Sequence, residues 1–209
     1  MRTRCLVKME SPNKNGGNKE IPHREQFSPL SKTLATKPVQ GKNLTGSARH
    51  VRDLAADVHS SIQQWNTVHL QGLSILKNIT AEKQDGSYSQ SLQDLCDLLE
   101  DVCDSLDAIV RNLEQIAHQM KVIATLDKNA DKLFITWPVT KFGHVTELIH
   151  DSYHQEAMIK RKVLENVAHG YTEAWKMLCL ASWVHQPLLP NNATMLLESL
   201  LLETGHRSF

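Results

Sequence analysis

Aromatic side chains are scarce in this chain, at 5% of 209 residues. Strands favour aromatic and β-branched residues, so this scarcity argues against a β-sandwich. A hydrophobic fraction of 41%, rich in Leu, Ile and Val, suits packed helices better. Glycine is sparse as well, and neither GxxxxGK[ST] nor GxGxxG occurs, so the loops that cradle phosphates are missing. Kinase HRD and DFG triplets, a GxSxG elbow and the zincin HExxH pattern are also absent. Cysteine is confined to Cys5, Cys96, Cys103 and Cys179, with no CxxC pair. A chain of this size needs no disulfide staples, and reduced thiols in an intracellular compartment are expected. Neither sign of charge prevails, with 23 basic and 23 acidic residues, so net charge indicates neither a nucleic-acid nor a membrane partner. The densest apolar stretch, Met195 to Leu202, is too short to span a bilayer and contains Glu198. Met1-Arg2-Thr3-Arg4 is basic, but no apolar segment follows it, so no secretory signal is expected.

What is present is unevenly spread. Residues 1–46 hold nine Lys or Arg against three Glu, leaving fourteen basic and twenty acidic residues beyond them. A basic tail is thus joined to an acidic body. The tail has no apolar period and is interrupted by Pro12, Pro22, Pro29 and Pro38. It buries too little apolar surface to offset its ordering entropy, so disorder is expected over 1–46.

From Ser47 a heptad begins: Val51, Leu54, Val58, Trp65, Val68, Gly72, Ile75 and Ile79, flanked by Ala55, Ile62 and Leu76. This is the core face of an amphipathic helix, with Ser47 as its N-cap and its end near Ala81. Asp85-Gly86-Ser87 marks a turn. A second helix follows from about Ser89 to Ser91, with Leu92, Leu95, Leu99, Val102, Leu106, Ile109, Leu113, Ile116, Met120 and Ile123 at a and d. No a or d position is polar, and the e positions Cys96, Cys103, Val110, Ala117 and Ala124 are small and apolar. Such a widened stripe calls for a bundle of three or more helices. The fold expected is all-α: a long antiparallel, coiled-coil-like hairpin over 47–126, with a smaller helical region over 127–209 packed on it. In that region, residues 126–141 read as a loop. A third helix runs from Thr140–Gly143 to His169, with Val145, Leu148, Ile149, Ile159, Val163 and Val167 as its apolar side and Gly170 at C′. Thr172 caps a fourth helix that Pro187 and Pro190 end, and a fifth spans Thr194 to Thr204 before Gly205.

Several constellations invite a chemical reading. Asp94, Asp97, Glu100, Asp101, Asp104 and Asp107 all fall on b, c or f, the outer face, which fits a solvated surface or a dock for a basic segment such as the tail. His150 and His154 stand one turn apart, a zinc-compatible spacing, but no third ligand follows and a surface pair is the simpler account. Cys96 and Cys103 read as packing residues. Trp65, Trp137, Trp175 and Trp183 read mainly as core, with Trp137 the best contact candidate because it lies in a loop beside Pro138. Leu70 and Leu73 lie off their helix's stripe and suggest a second covered face. Ser11-Pro12-Asn13-Lys14 fits a cyclin-dependent kinase substrate pattern, and Ser28-Pro29 a minimal one, so Ser11 and Ser28 are candidate phosphosites. Arg111-Asn112-Leu113 matches a cyclin-docking pattern, but Leu113 belongs to the seam. The body has no basic face interleaved with aromatics, so direct nucleic-acid binding is not expected.

In order, the chain carries Thr136-Trp137-Pro138, Ile159-Lys160-Arg161-Lys162, Ala168-His169, Ser182-Trp183-Val184-His185-Gln186-Pro187 and the run Leu197 to Arg207, LESLLLETGHR. Lys37-Pro38-Val39, Ser47-Ala48-Arg49, Ala55-Ala56-Asp57 with His59, and Trp65 add to these. Together they resemble the cyclin-dependent kinase 2-interacting protein family, while the first 36 residues do not. The resemblance implies a nuclear, non-catalytic adaptor without cofactors, with the cytoplasm as a further compartment. It implies association with cyclin-dependent kinase 2, the Cdc7 kinase and the ATR-interacting protein, in DNA replication and checkpoint signalling. It also implies a place beside a second small helical protein in a hexameric AAA ATPase assembly, acting in replisome turnover and large ribosomal subunit maturation. A structural coiled-coil subunit of another assembly is the competing reading. The family-specific residues Trp137, Pro138, Trp183, His185, Gln186, Pro187, Glu203, Gly205, His206 and Arg207 are the candidate partner surface, against a purely architectural account in which Pro187 and Gly205 stop helices and His206 and Arg207 complement a helix end.

Overall fold

The computed structural model describes residue 44, residues 46–126 and residues 132–208. The tail expectations, including the phosphosites Ser11 and Ser28, lie outside the described residues. Five helices follow one another: α1 (Ser47–Glu82), α2 (Gln90–Leu126), α3 (Val139–Val167), α4 (Glu173–His185) and α5 (Asn191–Glu203). No strand is present among the described residues.

The heptad stripes become the seam. Of the ten a and d residues of α2, nine are buried and Leu95 is half-buried. They face Val51, Leu54, Val58, Ile62, Trp65, Leu76 and Ile79 of α1, all buried. The pairing is antiparallel: Asn112 of α2 donates to the Ser61 hydroxyl of α1 at 2.9 Å, while Ser89 at the start of α2 donates to Glu82 at the end of α1 at 3.2 Å. Cys103, Val110 and Ala117 are buried as well. This wider stripe accommodates α3, which runs antiparallel to α2. Arg161 reaches Asp104 and Asp107, Lys121 reaches Glu147, and Thr146 meets the Met120 sulfur at 3.0 Å. The small e residues thus mark the side on which a third long helix lies.

Helix boundaries differ from expectation where local chemistry intervenes. Ser47 is the first helical residue, and the cap position belongs to Gly46, whose φ of 63° suits glycine. Ser89 does cap α2, its hydroxyl accepting from the Leu92 N–H at 3.0 Å. In the connector, Asp85 accepts from the Ser87 N–H at 2.7 Å, and the buried Lys83 ammonium donates to the Ser87 carbonyl at 2.7 Å. α3 and α5 begin immediately after Pro138 and Pro190, because proline suits an extended entry into a helix. Leu148 is exposed and not part of the apolar side of α3. The buried register there is Phe142, Val145, Ile149, Tyr153, Glu156, Lys160, Val163 and Val167. Gly170 does not take the left-handed stop after α3. A Cβ there would fall 2.3 Å from Trp175 Cδ1, so the glycine instead makes room for the indole.

Candidate functional site

The family-like residues converge where α4, α5 and the segments around them meet the bundle. Their centre is Trp183, fully buried on α4. Its indole N–H donates to the His69 carbonyl of α1 at 3.0 Å, and its ring lies parallel to the His69 imidazole with centroids 6.3 Å apart. The approach is so close that a Cβ on Gly72 would fall 2.2 Å from Trp183 Cζ2. From α3, the Lys160 ammonium donates to the Trp183 carbonyl at 2.6 Å and stands 4.8 Å from its ring centroid.

Lys160 is itself paired with Glu156 at 2.8 Å, one turn earlier, and both side chains are completely buried. Glu156 also accepts from the Leu188 N–H at 3.0 Å. Burial pulls the Lys160 pKa down, and the Glu156 carboxylate opposes that pull. His69 is held down to about 4, first by burial and then by the Lys160 charge. A second bond closes this corner: the Trp65 indole donates to the Gln186 side chain at 2.8 Å. Gln186 caps α4 in the left-handed region, with φ 45°.

A second knot ties down α5. Glu203 is buried and accepts from the Trp137 N–H at 2.7 Å, the Thr136 hydroxyl at 3.0 Å and the Thr136 N–H. Burial raises its pKa, but these donors outweigh burial and hold the carboxyl below its usual range. After α5, Gly205 adopts φ 74° and donates to the Leu202 carbonyl at 3.1 Å, while the His206 N–H donates to Leu201 at 2.8 Å. This is the paired pattern of a Schellman stop. The His206 ring bonds the Arg52 carbonyl of α1 at 2.8 Å, and Arg207 pairs with Glu198 at 3.3 Å.

The candidate surface residues therefore separate. Trp183 and Glu203 are buried, and Gln186, His206 and Arg207 are half-buried with partners inside the chain. Pro138, His185, Pro187 and Gly205 are exposed. Trp137, the best contact candidate among tryptophans that read mainly as core, proves to be core. Its ring is buried, 5.3 Å from Phe142 and beneath the Lys141 ammonium, because Glu203 anchors its backbone. Sequence reasoning missed Glu156 and His69, and placed Lys160 only in a family-like run and Gly72 only in the α1 stripe. The available signal was that Glu156 and Lys160 fall on the core register of α3, where a solvated pair does not belong.

Elsewhere, His150 and His154 stack at 5.8 Å, and His150 bonds Asp151 at 3.0 Å. Among the described residues no group of three or more His, Cys, Asp or Glu is placed to hold a metal, and no helix is long and apolar enough to cross a membrane.

No family model matches the sequence. Individual proteins do. The chain is 32% identical over 208 residues to the cyclin-dependent kinase 2-interacting protein of Bos taurus, covering 85% of this chain and 98% of that one. It is 30% identical over 209 residues to the Homo sapiens protein of that name, covering 85% and 99%. The chain belongs to the cyclin-dependent kinase 2-interacting protein family. The Xenopus laevis member is 31% identical over 190 residues, covering 78% of this chain and 92% of that one. These family members are named for an interaction rather than for a reaction.

Proposed function

We propose that this chain is a non-catalytic nuclear adaptor that binds cyclin-dependent kinase 2. The carrying observation is family likeness along most of the chain to proteins named for that interaction. The surface offers a means. α4 turns Trp183, Cys179 and Lys176 inward, yet Met177, Leu178 and Val184 stand 62%, 56% and 42% exposed on its other side. Apolar residues left outward at helical spacing suit a protein partner. The proposal extends to the Cdc7 kinase, the ATR-interacting protein and a hexameric AAA ATPase with a second small helical protein. On this reading the adaptor serves DNA replication and repair, checkpoint signalling and large ribosomal subunit maturation.

The test is capture of purified cyclin-dependent kinase 2 by the immobilised full chain, beside a Met177→Glu, Leu178→Glu variant. Binding that the variant loses at unchanged melting temperature supports the proposal. Absence of capture by the wild-type chain refutes direct kinase binding. Recovery of ATPase subunits with the tagged chain from nuclear extract tests the extension.

A further inference from the structure

α1 and α2 border a shallow, open groove of about 490 Å³, with Gln71, Ser74 and Ile75 on one wall and Leu98, Asp101 and Val102 on the other. Its floor is apolar, and Leu98 is 51% exposed on its rim. The walls differ in charge. Between Gln90 and Asp107, α2 carries six acidic residues and no Lys or Arg. Arg161 takes Asp104 and Asp107 on the side facing α3. Asp94, Asp97, Glu100 and Asp101 remain exposed, and none forms an ion pair among the described residues. Of these, Asp101 borders the groove itself, and across it α1 from Asn66 to Asn78 has no acidic residue and one exposed cation, Lys77.

We propose that the basic segment Met1–Met9 of this same chain docks in that groove. The segment carries Arg2, Arg4 and Lys8 with no acidic residue, and interleaves them with Cys5, Leu6, Val7 and Met9. Its apolar residues suit the floor formed by Ile75 and Val102 and the Leu98 rim, and its cations suit Asp101 and the exposed carboxylates near it on α2. The geometry permits it. Ser74 lies 28 residues along α1 from Gly46, about 42 Å at 1.5 Å per residue. The 36 residues between Met9 and Gly46 span up to about 120 Å when extended, so length is no obstacle. Docking within one molecule also benefits from the high effective concentration that a covalent tether provides.

The test places the photo-reactive residue p-benzoylphenylalanine at Leu6 of the full chain and maps cross-links by mass spectrometry. The expected result is a cross-link within the monomer to peptides containing Leu70–Ile75 or Leu98–Val102. It should be lost in a Leu98→Glu, Asp101→Lys variant, and weakened by about 0.5 M salt, which screens the ion pairs. A Ser74→Arg variant, which adds a cation to the opposite wall, should weaken it too, so the outcome does not rest on one substitution. Cross-links spread over unrelated peptides, or unchanged in both variants, overturn the proposal. Cross-links found only in covalent dimers also overturn it, by assigning the groove to the segment of a second copy.

Discussion

His69 shows how one side chain links the protein's stability to pH. Its folded pKa is about 4, against an ordinary value of 6.5, because burial and the Lys160 charge disfavour its protonated form. The unfolded chain therefore binds the proton first as pH falls. Stability is fully present above 6.5 and is lost progressively between 6.5 and 4, by an amount on the order of 3 kcal/mol. Burial also lowers His206, which acts in the same direction. Urea unfolding at pH 7.5 and 5 should show this loss, and His69→Phe should flatten it. Glu203 titrates lower. Its depressed pKa gives stability that is present above about 4.5 and lost as pH falls through the folded value. Glu203→Ala strands the buried Trp137 N–H, removes the carboxylate that Thr136 also donates to, and should cost about 1–3 kcal/mol at neutral pH. The accompanying sign should be a red-shifted Trp137 fluorescence. Neither role was legible beforehand, since Glu203 and His69 acquire their partners only from residues 67 and 114 positions away.

At the scale of helices, reading from sequence succeeds where periodicity carries the signal. The seam of α2 was readable because an unbroken a/d stripe leaves a helix no other way to bury its face. The third helix was announced by small e residues. The Glu156–Lys160 pair was not read, because an i,i+4 acid–base pair resembles a solvated one until the register around it is counted. Its burial makes a specific prediction. Lys160→Met leaves Glu156 buried without a counter-charge and should cost about 3–5 kcal/mol. Adding Glu156→Leu removes the stranded charge and should restore much of that loss, as measured by thermal unfolding of both variants. A restored double variant that nevertheless shows faster exchange at the Leu188 amide would reveal what the carboxylate holds. In the seam itself, Leu106→Asp places a carboxylate at a fully buried position and should cost several kcal/mol. Unchanged helix content and melting would contradict the seam assignment.

Across the molecule, the C-terminal helices act as a brace. α4 and its cap tie α1 to α3 through Trp183, Lys160 and Gln186, and α5 ties the start of α3 and the first turns of α1 through Glu203 and His206. The specificity of these stretches in sequence therefore has an internal cause at many positions, leaving exposed His185, Pro187 and Pro138 free for contact. Removing residues 187–209 should speed hydrogen exchange over 47–58 while sparing the interior of α2, readable by mass spectrometry. Equal acceleration throughout would mean that bundle and brace unfold as one unit.

The bond between His206 and the Arg52 carbonyl also has a topological consequence. Arg52 is six residues into the bundle from Gly46, about 9 Å along the helix axis. The start of the helical body and its final residues thus lie at the same end of the molecule. A short glycine-serine link from residue 208 to residue 46 would close the body into a ring, and a new opening within 127–131, between α2 and α3, would give a circular permutant. Its helices would meet the same neighbours in a different chain order.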